Sequence, residues 1–445
     1  MRRTCGGAGA AAKRGKTASA GPVRPYNLGV ARCKLPAMWL FLLFCGGWYL
    51  HENLFELLPG IAGTPSDFTH YYQAARHVAA GVSPYSDASY DYPPAVAFAL
   101  TPLALTDYVT ARRIWFAASH LCLLLGAWVM WRAMGGGLLA ACAVAAVWTF
   151  GGSAGESLSL GQLGPLLGLL LALAYTRAST AQGLSVGTGL ALKFIPGLLA
   201  AVVALRRDWR ALTGVAVAAV AAILAPSAAI LHWKSGPVSP IRAQYWMGTP
   251  AILSWSAPSA VLRAMDPPQR GAKLPHDWEF GNAPESTELP CGRRLVSVGV
   301  AAGILLAGVS ALAMACRGRL GADQVPWAAA AVLSLGLAAS PICWTHYQVL
   351  QYPGLAWLLH HALSRRAWLL SGATLLLGAL LYPIPVTVLR AYHHHFGAWT
   401  AASPATLYVW TSVTPLAALA LFGVLLHRGC AVDAPSGNRP SMRNR

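Results

Sequence analysis

Residues 64–94 read TPSDFTHYYQAARHVAAGVSPYSDASYDYPP. The stretch is polar, aromatic and rich in Gly and Pro, and apolar runs flank it at 35–50 and 95–105. Three of the chain's fifteen acidic residues, Asp67, Asp87 and Asp91, lie in it. It reads as a loop between two membrane spans. A chain this poor in carboxylates that sets one just past its first span points to that carboxylate, Asp67, as a working group.

Composition supports the membrane reading. Of 445 residues, 56% are hydrophobic and 11% charged, where a soluble protein carries roughly a quarter charged. Apolar runs recur from Leu35 to Leu426, which predicts an all-α polytopic membrane protein of about 10–13 transmembrane helices. No polar segment is long enough for a separate soluble core. Residues 1–34, basic and without an acid, read as a disordered cytoplasmic tail. The integral domain covers 35–428, with a first outer loop at 51–92 and a large outer loop at 232–294, and 429–445 form a second cytoplasmic tail.

The net charge of +18 lies in the tails and short loops, the pattern of topology signals and anionic-lipid contacts, and argues against nucleic acid as a partner. Nine cysteines without a CxxC signal neither a zinc site nor a disulfide framework. Span one is an uncleaved signal anchor, and spans follow at 95–105, 111–131, 136–150, 160–175, 183–204, 211–231, 295–316, 326–342, 347–362, 367–389 and 404–427. Counted this way, Arg112-Arg113, Arg206-Arg207-Arg210, Arg317-Arg319 and Arg365-Arg366 fall inside, and Arg132, Arg177 and Arg390 outside. That bias places the N-terminus in the cytoplasm and the Asp67 loop outside.

Within that loop, Ser66 and Gly81 predict a short helix over 68–80, interfacial, with Tyr71 and Tyr72 at headgroup depth. Asp67 can act as a general base on an acceptor hydroxyl, or simply stabilise a helix N-terminus. Asp87, Asp91 and Tyr92 can bind sugar hydroxyls or serve turn chemistry. Gln162, beside Gly161 at the edge of a span, can bond a polar ligand or a neighbouring helix. Lys193 sits near the middle of a predicted span. A bare ammonium there costs about 2.5–3.5 kcal/mol, so it calls for a cavity or an anionic partner unless it snorkels to the interface. Trp344 and His346, in SPICWTHY at 340–347, can face a phosphate or sugar, or belong to an aromatic belt. His393-His394-His395 lack an acidic neighbour and are set aside as a metal site. Gly248–Trp255 and Trp278 are candidates for acceptor binding or a lid.

Four segments taken in order resemble glycosyltransferase family 87, of GT-C membrane fold. They are D-F-x-H-Y-Y-x-A-A-x-x-x-x-x-G-x-x-P-Y (67–85) with Y-x-Y-P-P (90–94), G-Q-L-G-P-L-L (161–167), G-L-A-L-K-F-I-P (189–196) and S-P-I-C-W-T-H-Y (340–347). The resemblance implies a polyprenyl-phosphate-sugar-dependent transferase, often of mannose, working on the extracytoplasmic face of a bacterial plasma membrane. Its acceptor is a glycolipid or glycan. Asp67 maps onto the family's acidic residue, Lys193 onto its K-x-x-P lysine and His346 onto its late histidine. Leu163 and Gly164 stand where the family more often has Asn, and Tyr347 where it often has a second His. With Asp67 as base, Lys193, His346, Tyr71, Asp91, Tyr92, Gln162 and Trp344 are expected to bind substrate, with no cofactor and no metal. A transporter or flippase of lipid-linked sugars is the alternative. A non-catalytic subunit of an envelope-assembly complex is a third reading.

Overall fold

The computed structural model describes residues 34–55, 57–60, 66–86, 90–176, 179–234, 236–237, 254–265, 291–315, 320, 324–388 and 404–431. The two basic tails other than Lys34 and 429–431, Asp87, Gly248–Ile252 with Leu253, Trp278 and His393–His395 lie outside them. The described residues are helical, with no strand; one isolated bridge pairs Ser254 with Trp344.

Among the described residues four helices are long and apolar enough to cross a membrane singly. They are α4 (Tyr108–Ala133), α10 (Trp209–Trp233), α12 (Cys291–Ala315) and the 409–428 part of α16 (Pro404–Ala431). Taken as one span, α5 (Leu138–Phe150) and α6 (Ser153–Leu160), bent by 55° at the Gly151-Gly152 break, make a fifth. Gly152 takes φ +73°, a conformation that glycine adopts without steric cost, and this turns the chain. The remaining apolar helices are shorter: α7 (Gly164–Thr176), residues 195–205 including α9 (Leu199–Leu205), α13 (Val325–Ala339) and α15 (Trp368–Leu381).

Two of the expected spans are built differently. The 95–105 segment does not cross. It forms α3 (Pro94–Leu100) and a 3-10 turn (Thr101–Leu105), roughly 20 Å in all against about 30 Å of hydrocarbon. Both its ends meet the same helix, α2 (Asp67–Ala79): Tyr92 packs on Tyr71, and the Tyr72 hydroxyl donates to the Thr106 carbonyl at 2.7 Å. Proline at its start and again at 102 ends the helix early.

The second is the 183–204 span, which is a hairpin. The chain runs up α8 (Ser179–Leu192), breaks at Lys193, and returns through a 3-10 turn (Ile195–Leu198) and α9. Arg206 Nη1 donates to Gln182 Oε1 at 2.9 Å, whereas one continuous helix would hold those residues about 36 Å apart. Pro196 supplies the break, and Lys193 sits at the hairpin tip rather than mid-span.

These corrections move the arginines. Arg112 starts α4 beside α2, so Arg112-Arg113 lie at the Asp67 end and not at the opposite one. Arg132 ends α4, about 30 Å further along. It joins the end that holds Arg206, Arg207 and Arg210. Arg365 and Arg428 also share one end, since both bear electrostatically on His361 at the close of α14 (Tyr352–Ser364).

Small residues let α8 and α10 pack closely. A Cβ on Gly183 would meet the Ala211 backbone, one on Gly187 the Val215 backbone, and one on Gly214 would lie 2.9 Å from the Thr180 carbonyl. The pairs advance together along both helices, which are therefore parallel, with α9 returning between them. This is the small-residue packing that membrane helices rely on where hydrophobic driving force is absent. Gly183→Leu is expected to lower thermal stability in lipid or detergent by about 1–3 kcal/mol or more, while Gly303→Leu on α12, where a Cβ meets nothing within 4 Å, leaves it unchanged.

Candidate active site

The site is assembled on the first turn of α2. Ser66 precedes it in extended conformation, and its backbone N–H reaches Thr69 Oγ1 at 3.5 Å. Phe68, Tyr71, Tyr72, Ala75 and Val78 recur at helical spacing and are buried. Phe68 stacks on Trp115 at 6.1 Å, and Tyr72 meets Tyr108 edge-on at 5.4 Å. Tyr71 and Tyr72 thus face the protein interior, not the headgroup layer as expected. The Tyr72 ring packs on α4 and its hydroxyl reaches the Thr106 carbonyl just past the 3-10 turn, while the Tyr71 ring packs on Tyr92 and its hydroxyl donates to Gln162.

Asp67 projects from this turn, half-buried. Its partner comes from 95 residues away. Chain reversal at Gly161, in left-handed conformation at φ +69°, ends α6 and points Gln162 at α2. A Cβ at 161 would lie 2.7 Å from both Arg112 Nη1 and Phe68 Cβ, so glycine is required for space as well as for conformation. Trp115 Nε1 fixes the turn by donating to the Gly161 carbonyl at 2.8 Å.

The Gln162 side chain is 1% exposed and fully used. Its Oε1 accepts from the Tyr71 hydroxyl at 3.0 Å; its Nε2 donates to Asp67 Oδ2 and to the Tyr92 hydroxyl at 3.3 Å. The amide can satisfy all three only in this orientation. Tyr71 and Tyr92 close the arrangement ring to ring at 4.6 Å.

Lys193 arrives from the hairpin tip. Its Nζ lies 3.6 Å from the centre of the Tyr347 ring and 5.7 Å from that of Tyr92, a cation held between two aromatic faces. Its charge bears on Asp67 and on His346. His346 is buried, meets Tyr347 edge-on at 4.7 Å, and accepts from Ser157 Oγ at its carbonyl at 3.2 Å. Its Nε2 has no hydrogen-bond partner among the described residues. An unsatisfied buried ring nitrogen is costly and marks a place where a ligand atom can bond.

Burial pushes the Asp67 carboxyl above the usual carboxylate range, while the Gln162 N–H and the charges of His70, Lys193 and Arg112 pull it back. A carboxylate so placed is a better base than an exposed one and still ionises. Burial raises the Tyr71 and Tyr92 hydroxyls, which stay protonated, the first donating to Gln162 and the second accepting from it.

The structure therefore brings together Asp67, Tyr71, Tyr92, Gln162, Lys193 and His346. Trp344 enters by its backbone: it pairs with Ser254, and the neighbouring Cys343 carbonyl accepts from Trp255 N at 2.6 Å. Part of the segment between α10 and α12, with α11 (Ala257–Met265), is thereby clasped to the 340–344 turn. Arg263 Nη1 reinforces it on the Ser254 carbonyl at 3.0 Å. Asp91 sits on the Tyr85 side, where its charge adds to burial in pushing that phenol up. Among the described residues no group of three or more His, Cys, Asp and Glu could hold a metal ion.

Three site residues escaped the sequence reading. By sequence Arg112 reads as a topology signal, Tyr347 as a belt aromatic beside His346 and a departure from the family pattern, and Glu156 carries no local signal. Glu156 accepts from the Thr345 hydroxyl, beside His346. The signal for Arg112 was the shortness of the 95–105 run, which could not carry the arginine pair to the other side.

Because Gln162 favours the ionised carboxylate, its replacement has a directional effect. Activity that needs ionised Asp67 rises with pH through that group's titration. Gln162→Leu removes an N–H from the charged form, so the acid limb is expected to move to higher pH, with loss greatest below the limb. A pH–rate profile checks it.

Residues 90–251, a little over a third of the chain, match the family model of glycosyltransferase family 87. The matched part contains Tyr92, Gln162 and Lys193; Asp67 and His346 lie outside it. No curated protein matches the chain. The family whose model matches is the one that the four ordered segments resemble, and over residues 90–251 this polytopic helical protein is similar to the glycosyltransferases of family 87.

Proposed function

We propose that the protein transfers a hexosyl residue, mannosyl in the first instance, from a polyprenyl-phosphate sugar to a hydroxyl of a glycolipid or glycan acceptor. The observation that carries this is the convergence at one end of the helices of a carboxylate, a cation and an unsatisfied imidazole from segments far apart in sequence. Asp67 takes the acceptor proton as the acceptor oxygen bonds to the anomeric carbon. The bond from that carbon to the phosphate oxygen breaks, and the polyprenyl phosphate leaves with both electrons. Gln162 aims the carboxylate, and the Tyr71 and Tyr92 hydroxyls hold Gln162. Lys193 faces the departing phosphate, with His346 Nε2 as a further contact to phosphate or acceptor. Fixed charges placed where charge develops are an effective source of rate. A single displacement inverts the anomeric centre, so a β-linked donor gives an α-linked product.

The orientation follows from charge. Arg132, Arg206, Arg207 and Arg210 lie away from the site end, against the Arg112-Arg113 pair at it, and by the positive-inside rule this excess faces the far end to the cytoplasm. The site then opens on the extracytoplasmic face of the plasma membrane, where a lipid-linked donor is available and nucleotide sugars are not.

The test is sugar transfer by purified protein in lipid, with radiolabelled polyprenyl-phosphate-mannose and a membrane-glycolipid extract. Label moving to an acceptor with wild type and not with Asp67→Asn is the expected result. Label moving across the bilayer without transfer to any acceptor, for every donor tried, would instead establish a flippase.

A further inference from the structure

Arg112 is the least exposed cation described, at 0%, and it sits directly behind the proposed base. Its Nη2 donates to two carbonyls in succession, Leu158 at 3.0 Å and Ser159 at 2.6 Å, the last turn of α6 before Gly161-Gln162. Its guanidinium lies 5.5 Å from the centre of the Phe68 ring, the residue after Asp67. Nε and Nη1 have no hydrogen-bond partner among the described residues. Burying a guanidinium with donors left over is expensive, and a structural clamp on two carbonyls alone would not require a full charge. The charge bears on the Asp67 carboxylate, after the larger influences of Gln162, His70 and Lys193.

We propose that Arg112 is a positioning residue of the transfer site: it locks the Gly161-Gln162 turn onto the first turn of α2 and supplies a buried positive charge behind Asp67. The inference rests on Asp67 as the base. The clamp and the charge are two functions of one side chain. The clamp sets where Gln162 points, and so where Asp67 points. The charge favours ionised Asp67 against its burial. The other groups that bear on Asp67 are His70 on α2, Lys193 at the hairpin tip, and the neutral Gln162, Tyr71 and Tyr92. None of them lies on α4, so Arg112 is the contribution of that helix.

The experiment is a pH–rate profile of sugar transfer in lipid for wild type, Arg112→Met, Arg112→Lys and Asp67→Asn, each with a thermal unfolding curve. For Arg112→Met the acid limb moves to higher pH, and the plateau falls roughly tenfold to a hundredfold because Gln162 is no longer held. For Arg112→Lys the limb stays at its wild-type pH while the plateau falls, since an ammonium keeps the charge but cannot span two carbonyls as the planar guanidinium does. A profile for Arg112→Met that is lowered equally at every pH, its limb unmoved, overturns the proposal, and so does wild-type activity throughout. If Arg112→Met does not fold, Arg112→Lys decides: wild-type activity at every pH rejects the clamp. Full activity in Asp67→Asn rejects the base itself, which is a separate failure.

Discussion

Asp67→Asn is expected to abolish transfer, with kcat down by roughly 10²–10⁴, and to leave the protein as stable as wild type or more so. The two halves of this prediction come from the same geometry. Asparagine keeps the shape of the side chain, and its carbonyl oxygen still accepts from Gln162 Nε2, so the Tyr71–Gln162–Tyr92 arrangement is retained. What is lost is the ability to take a proton. On the stability side, burial raises the Asp67 carboxyl above its value in the unfolded chain. A carboxyl so shifted stabilises the fold while protonated, and that contribution is lost as pH rises through its folded titration. At neutral pH the ionised side chain is a net cost to the fold, and asparagine does not carry it. Thermal unfolding in lipid beside the radiolabel assay checks both. Lost activity together with a lowered melting temperature would make Asp67 a structural cap on α2 and not the base.

The sequence announced the site better than it announced the path of the chain. Asp67, Gln162, Lys193 and His346 were legible because each is a polar group in an apolar setting, where an unpaired side chain is costly and so asks for a reason. The helix after Ser66 was legible from its cap and its Gly81 stop. Two things were hidden. Apolar composition does not say whether a run crosses or turns back: 95–105 is as apolar as a span but too short, and Pro196 inside 183–204 divides one predicted span into an antiparallel pair. Each misreading reverses the side on which later residues lie, which is how Arg112 came to be counted with the far-end arginines. Direction along a helix face was also hidden. Tyr71 and Tyr72 look interfacial by composition, and only the packing of α2 on α4 shows that they point inward. The Tyr347 ring beneath Lys193 depends on two segments meeting across 154 residues of sequence. No local pattern carries that.

Lys193→Met should be the second most damaging single change, lowering kcat/KM for transfer by roughly 10²–10³. Methionine keeps the length of the side chain and can rest on the Tyr347 ring as the lysine stem does, so packing at the hairpin tip is preserved. The change removes the one charge that the aromatic pair holds at the tip. Two roles are open to that charge, and they differ in pH dependence. If Lys193 served only to keep Asp67 ionised, its loss would be felt below the acid limb and would vanish above it, where Asp67 is ionised in any case. If it stabilises the phosphate that leaves, the loss persists on the plateau. The phosphate role is favoured by geometry: the ammonium is held by faces of Tyr347 and Tyr92 rather than by a carboxylate, which leaves its hydrogen-bond donors for a ligand. Burial lowers the Lys193 ammonium to about 7, so the comparison is made just above the acid limb, before that charge is itself lost: a loss near its full size there, partly restored in Lys193→Arg, is the expected outcome, while one that disappears there would confine Lys193 to tuning the base. The double variant with Asp67→Asn separates the cases further. Groups acting on one transition state are strongly non-additive, so the pair should be little worse than Asp67→Asn alone.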